Sequence, residues 1–166
     1  MITKSLSAGL LGLILAACTM SGLHPLVLDG HELHSSLVPK QLDGANHGVP
    51  PGVRDNPHFS TEVEVVDSIA RFASQGQLGS DGIRAALYAL YQGERELGFY
   101  GLEAATTVDA DRLEGILRGT WAHNVSIDLA RVHRRGRVFV VVWHDGVSAA
   151  SWQAVNAGLA KRLTAR

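Results

Sequence analysis

One cysteine stands among 166 residues, so no disulfide can form within the chain. Charge of either sign is also lacking in excess: 15 Lys and Arg face 16 Asp and Glu, a net charge of −1. A protein devoted to nucleic acid normally carries a strong basic excess, so that partner class is set aside. No apolar run approaches the roughly 20 residues that a membrane-spanning helix needs. Proline is missing from residue 58 onward; all five lie between Pro25 and Pro57. No GxGxxG, P-loop, GxSxG or HExxH occurs. Nucleotide binding, the hydrolase nucleophile elbow and the zinc-protease site therefore have no motif behind them. A hydrophobic content of 46% is nonetheless that of a globular protein and excludes a wholly disordered chain.

The first residues have the form of an export signal. Met1 to Lys4 is short and positive, and Leu6 to Leu15 is an apolar run of about ten residues, an h-region rather than a span. It ends in Leu15-Ala16-Ala17-Cys18. This resembles the lipobox of bacterial lipoproteins, a Leu and two small residues before an invariant Cys. The small residues let the backbone enter a narrow peptidase groove, and the thiol accepts lipid. The resemblance implies that residues 1–17 are removed and that Cys18 carries a diacylglyceryl thioether and an N-acyl chain. Each buried methylene contributes about 0.8 kcal/mol, and two or more chains anchor a protein stably. Thr19 follows the Cys, where an Asp would imply inner-membrane retention. In a Gram-negative host the same resemblance implies the periplasmic face of the outer membrane. Acylated Cys18 has no thiol, which excludes thiolate nucleophiles, redox dithiols and thiolate-bound metal. No cofactor is expected.

Residues 18–60 are expected to form the lipidated Cys and a flexible tether. Pro25, Pro39, Pro50, Pro51 and Pro57 fall here, with Gly22, Gly30, Gly44, Gly48 and Gly52 between them. Such a chain spans roughly 35 Å end to end, enough to stand a domain off a bilayer. Its short apolar patches (Leu23, Leu26, Val27, Leu28; Leu33, Leu37, Val38) offer the alternative of docking on the domain or on a partner. His24, His31, His34, His47 and His58 also lie here, but without a ligand set they read as loop histidines, and no metal site is expected.

Residues 61–166 are expected to form a small α/β domain. Thr61 and Glu64 match a capping box ahead of Val65, Ile69, Phe72 and Ala73 at helical spacing, with Gly76 as a stop. Ser80 begins a second predicted helix with the stripe Ile83, Ala86, Leu87, Leu90 and Tyr91, ending at Gly98. Phe99 to Ala105 is a predicted strand. Asp109 to Ala122 is a third helix with Leu113, Ile116, Leu117 and Trp121 on one side; His123-Asn124 suits its end. Val125 to Val132 alternates as a half-buried strand. His133-Arg134-Arg135-Gly136 is a turn, Arg137 to His144 an apolar strand, and Asp145-Gly146 a break. Ser148 or Ser151 caps a final helix presenting Trp152, Val155, Leu159 and Leu163. The expected class is α+β, a two-layer sandwich in the order α-α-β-α-β-β-α. The β-α-β-β-α portion resembles the ring-building and secretin N-type domains of bacterial secretion machines, which would imply protein contacts through a sheet edge.

Four groups are candidate sites. Arg131, His133, Arg134, Arg135 and Arg137 cluster near a turn, where planar guanidinium forks suit phosphates and carboxylates of envelope polymers. Alternatively these charges blunt a strand edge, or Arg131 and Arg137 pair with Asp128 or Glu103. His144, Asp145 and Ser148 are the residue types of acyl transfer, but adjacent side chains at a strand end diverge, and a turn and a helix cap explain them. Glu94, Glu96, Glu103 and Glu114 include no pair singled out by spacing for glycosidase work. Trp121, Trp143 and Trp152 fit core positions, with a sugar-stacking platform as the sharper alternative. The expectation is a lipid-anchored, non-enzymatic interaction or envelope-structural protein with an envelope protein partner. The alternatives are a module for anionic polymer and a hydrolase using His144 and Asp145.

Overall fold

The computed structural model describes residues 22–28, 33, 37–42 and 48–165; the leader, the lipobox and Cys18 lie outside them, as do His31, His34 and His47. In chain order the described elements are a 3-10 turn (His24–Leu26), β1 (Val38–Pro39), β2 (His58–Ser60), α1 (Val63–Ala73), β3 (Ile83–Gln92), β4 (Glu96–Ala104), α2 (Thr107–Ser126), β5 (Ala130–Arg135), β6 (Val138–His144) and α3 (Ala149–Thr164). All strand pairs are antiparallel and form one six-stranded sheet in the order β1-β3-β4-β6-β5, with β2 also on the outer side of β3.

The α+β class is the expected one, but the layers number three. Ala86, Tyr88 and Leu90 of β3, Tyr100 and Leu102 of β4, and Phe139 and Val141 of β6 face α1 and α2. The alternate residues Leu87, Ala89 and Tyr91, Leu97 and Phe99, and Val140 and Val142 face the other way. There they meet Trp152, Val155, Leu159 and Leu163 of α3, together with Leu23, Leu26, Leu28, Leu33 and Leu37. The flexible tether expected over 18–60 is thus corrected where it is described. Its leucines are buried, and the alternative of docking on the domain is the one observed. Apolar burial at about 25 cal/mol per Å² offsets the ordering entropy that composition alone seemed to leave uncovered.

The second predicted helix is a correction with the same cause. Residues 83–92 form β3, hydrogen-bonded along its length to β4. Because both faces of β3 are covered, its sequence does not alternate, and an unbroken apolar run fits a helical stripe as well as a strand. Gly98 is accordingly not a helix stop. It lies in β4 opposite Trp143, whose ring sits where a side chain would be: an added Cβ would come within 2.7 Å of it. Gly101 does the same on the opposite face, where a Cβ would meet Leu23 and Leu87 at 3.0 Å.

Helix ends show smaller shifts. α1 starts at Val63 with no side-chain cap; Ser60 Oγ, not Thr61, accepts a backbone bond, from Glu62. The capping box lies instead at the start of α2, where Thr106 and Asp109 bond each other's backbone N–H. α2 runs past His123-Asn124 to Ser126, so the strand expected over Val125–Val132 begins only at Ala130. Ser148 caps α3 as expected, accepting from Ser151 N at 3.1 Å.

Candidate functional site

The β5–β6 hairpin positions most of the residues singled out by the sequence. Its turn is Gly136-Arg137 rather than His133–Gly136, with Gly136 at φ +56. His133, Arg134 and Arg135 are therefore strand residues, and the period of two sends them to different sides. The five basic residues do not form one patch.

Arg134 turns toward α2, reaching Glu114 at 2.5 Å and Asp111 at 2.8 Å, over the Phe139 ring. Hydrogen bonds from Arg118 and Arg134 hold the Glu114 carboxyl below its usual range. Arg131 turns toward α3, pairing with Asp128 at 3.1 Å and lying over the Trp152 ring. His133 meets Asn156 of α3 at 2.9 Å, and burial pushes its pKa down. Arg135 donates to the carbonyl of Leu163 and Arg137 to that of Ala105. Carboxylates thus compensate Arg131 and Arg134, whereas Arg135 and Arg137 bond carbonyls and keep their formal charge. Glu103 pairs with Arg84, not with Arg131 or Arg137.

His144 has both ring nitrogens in use. Nε2 donates to Asp128 O at 2.9 Å, and Nδ1 accepts from Gly146 N and Val147 N at 3.0 and 3.1 Å. These bonds fix the tautomer and leave neither nitrogen for a nucleophile. Asp145 accepts from Glu96 N at 2.7 Å and closes the turn. Ser148 is the cap already described. His144, Asp145 and Ser148 therefore organise a strand-to-helix corner.

That corner borders a groove of about 310 Å³ lined by Ile127, Asp128, Leu129, Arg131, His144 and Trp152, among others. Trp152, 4% exposed, donates through Nε1 to Asp128 at 3.0 Å and packs on His144 with ring centroids 4.4 Å apart. Asp128 organises the corner. It sits at φ +56, which Asp tolerates better than most residues, and the Trp152 and Arg131 hydrogen bonds hold its carboxyl below the usual range. Sequence reasoning placed Asp128 in a strand; a short polar residue just past a helix end was the available signal. Ile127, in the groove's lining, is 51% exposed and Val125 at the end of α2 46%, where alternation puts both on a buried strand face.

The tryptophans are packed rather than arrayed as a platform. Trp121 donates to Ala73 O at 2.7 Å inside the α1–α2 side, and Trp143 covers Gly98. His24 stacks on Phe59 with centroids 3.9 Å apart, and His58 pairs with Asp55. Among the described residues no three His, Cys, Asp or Glu side chains converge as metal ligands would, and no helix is long and apolar enough to cross a membrane.

The sheet's two edges differ. The outer side of β3 is occupied: β1 pairs with Tyr91 and Gln92, and β2 with Ala86 to Tyr88. Between them the Asn56 side chain bonds both the N–H and the carbonyl of Leu90, like a strand residue. Among the described residues β5 ends the sheet on the other side, pairing with β6 alone. His144 N donates to Leu129 O, which sets the ladder's phase. The backbone groups of Val132 and Arg134 then turn to the open side. No family model matches this chain, and neither a curated protein nor a solved structure does; the resemblance to ring-building domains gains no support.

Proposed function

We propose that this chain is a lipid-anchored envelope protein that acts without catalysis, holding an extended segment of a partner protein along β5 at the periplasmic face of the outer membrane. The anchor is read from Leu15-Ala16-Ala17-Cys18. The docking role is carried by the contrast between the sealed β3 edge and the open β5 edge. An incoming strand gains main-chain hydrogen bonds from the open edge and specificity from side-chain pockets next to it. The Trp152 groove, with exposed Ile127 in its lining, suits an apolar side chain of that strand. Self-pairing of two β5 strands would set Arg131, Arg134 and Arg135 against like charges, which favours a different chain as occupant. Arg131 and Arg134 are drawn to either side by their carboxylate partners, so they flank the edge rather than cover it.

Val132→Pro tests this. It removes an outward N–H at an edge strand, where proline is tolerated, and leaves the β5–β6 ladder paired. The wild-type protein, crosslinked in intact cells and extracted in mild detergent, is expected to carry one fixed envelope partner; Val132→Pro is expected to lose it at unchanged abundance. Equal capture by both proteins, or only free monomer from the wild type, contradicts the proposal.

A further inference from the structure

The proposed anchor and the described fold meet at one end of the domain. Gly22 N donates to the Glu103 carboxylate at 3.0 Å, and Glu103 is 3% exposed and paired with Arg84. Leu23 is fully buried against Gly101. Gly22, fixed to the fold by this bond, lies four residues after Cys18. Four extended residues reach at most about 14 Å, not the roughly 35 Å of a free tether. An acylated Cys18 would hold this end of the domain against the headgroups.

The surface at this end suits that position. It comprises the β5–β6 turn, the last turn of α3 and the first turn of α2. Arg135 and Arg137 are the two hairpin arginines whose hydrogen bonds go to carbonyls, so each brings a full positive charge. Lys161 is exposed on the last turn of α3. Val108, 77% exposed in the first turn of α2, adds an apolar side chain. Of the nearby acids, Asp109 lies in the capping box and Asp111 pairs with Arg134, while Asp81 is exposed, 3.9 Å from Arg112. A cleft of about 200 Å³ opens where the chain leaves toward Cys18, lined by Gly22, Arg135, Gly136, Val138 and Leu163.

We infer that this pole is a membrane-contact surface: Arg135, Arg137 and Lys161 engage lipid phosphates and fix the domain's orientation on the bilayer. The inference rests on the lipoprotein reading and adds to it a short leash and a defined face. It places the opposite pole, with the β3–β4 turn and the Trp152 groove, farthest from the lipid, open to a partner.

The test uses the full chain, processed in cells and reconstituted in vesicles of phosphatidylethanolamine and phosphatidylglycerol. Because the natural cysteine is consumed by lipid, Thr164→Cys and Glu94→Cys each give one labelling site, both exposed, at the near and far poles. Energy transfer to a headgroup acceptor is expected to be at least about threefold greater from position 164, since roughly 30 Å of strand separates the poles. Inserting ten Gly/Ser residues between Met20 and Ser21 should shrink the difference, and Arg135→Glu with Arg137→Glu should shrink it further. The mass of the N-terminal peptide reports acylation separately. Acylated protein with equal transfer from both positions overturns the inference while leaving the anchor standing. An unmodified Cys18 overturns the anchor, and the leash with it.

Discussion

One face of the sheet is covered by α1 and α2, the other by α3 and leucines of residues 22–37, where the described chain has a single 3-10 turn. The helical face is organised locally. Thr106 and Asp109 fix the start of α2, Trp121 bonds Ala73, and Gln77 of the α1–β3 connection bonds Thr120. The other face is fastened at separated points: Gly22 to Glu103, Tyr91 Oη to Leu28 O at 3.3 Å, and Lys40 to Glu96 at 2.5 Å. Between those points leucines do the covering. A face can thus be closed by a segment whose composition resembles a linker, provided apolar side chains recur where the sheet needs them and the backbone is caught at its ends.

The largest effect should come from treating both covers alike. Leu23→Ala and Leu113→Ala, one on each face and both fully buried, should each cost about 2–5 kcal/mol in urea unfolding. A loss at Leu23 under about 0.5 kcal/mol, typical of surface substitutions, would make that cover a drape and break the comparison. Next come the glycines. Gly98→Ala presses on Trp143 and Gly101→Ala on Leu23, and each should cost about 1–3 kcal/mol by overpacking. Only the first should alter the Trp143 emission. Thr106→Ala, which removes one half of the capping box, should cost about 1 kcal/mol, read as a shift in the unfolding midpoint.

The smallest effects near neutrality sort the faces by pH. His133, on the α3 side, is held below its ordinary value of 6.5 by burial. The folded state disfavours the imidazolium, so the contribution is full above pH 6.5 and is lost as pH falls through that value toward the lower folded one. Tyr100, on the helical side, is pushed up to about 12 by burial. Its contribution is full below its ordinary value of 10 and is lost as pH rises toward about 12. Stability curves of His133→Gln and Tyr100→Phe should flatten at the acid and alkaline ends respectively. A shared loss at one end would contradict this division.

Legibility in the sequence followed the same divide. α1, α2 and α3 are readable because each has one buried side and a clear period or cap, as with Leu113, Leu117 and Trp121 on α2; β6, buried on both faces, is readable because its apolar run is short and bounded by Gly136 and Asp145-Gly146. β3 is not, because Ala85, Ala86, Leu87, Tyr88, Ala89, Leu90 and Tyr91 are all buried and the run has no exposed beat to set its period. The helical stripe over β3 and the free tether differ from the structure for one reason: Leu23, Leu26 and Leu28 cover the face that leaves β3 buried on both sides. At the hairpin, composition drew attention to the right residues. Extending β5 through Arg135 divides them between two sides; the Arg131–Asp128 pair is one the sequence offered, whereas Asp111, Glu114 and Asn156 come from helices whose positions spacing alone does not give.

Leu23, Leu26, Leu28, Leu33 and Leu37, all before residue 61, are part of the core. Chemical unfolding of residues 19–166 beside residues 61–166 tests this most directly. The account predicts one cooperative transition for the longer chain, and for the shorter a loss of cooperativity with exposed apolar surface that binds a hydrophobic dye. A cooperative transition of the 61–166 fragment at the same midpoint would contradict it.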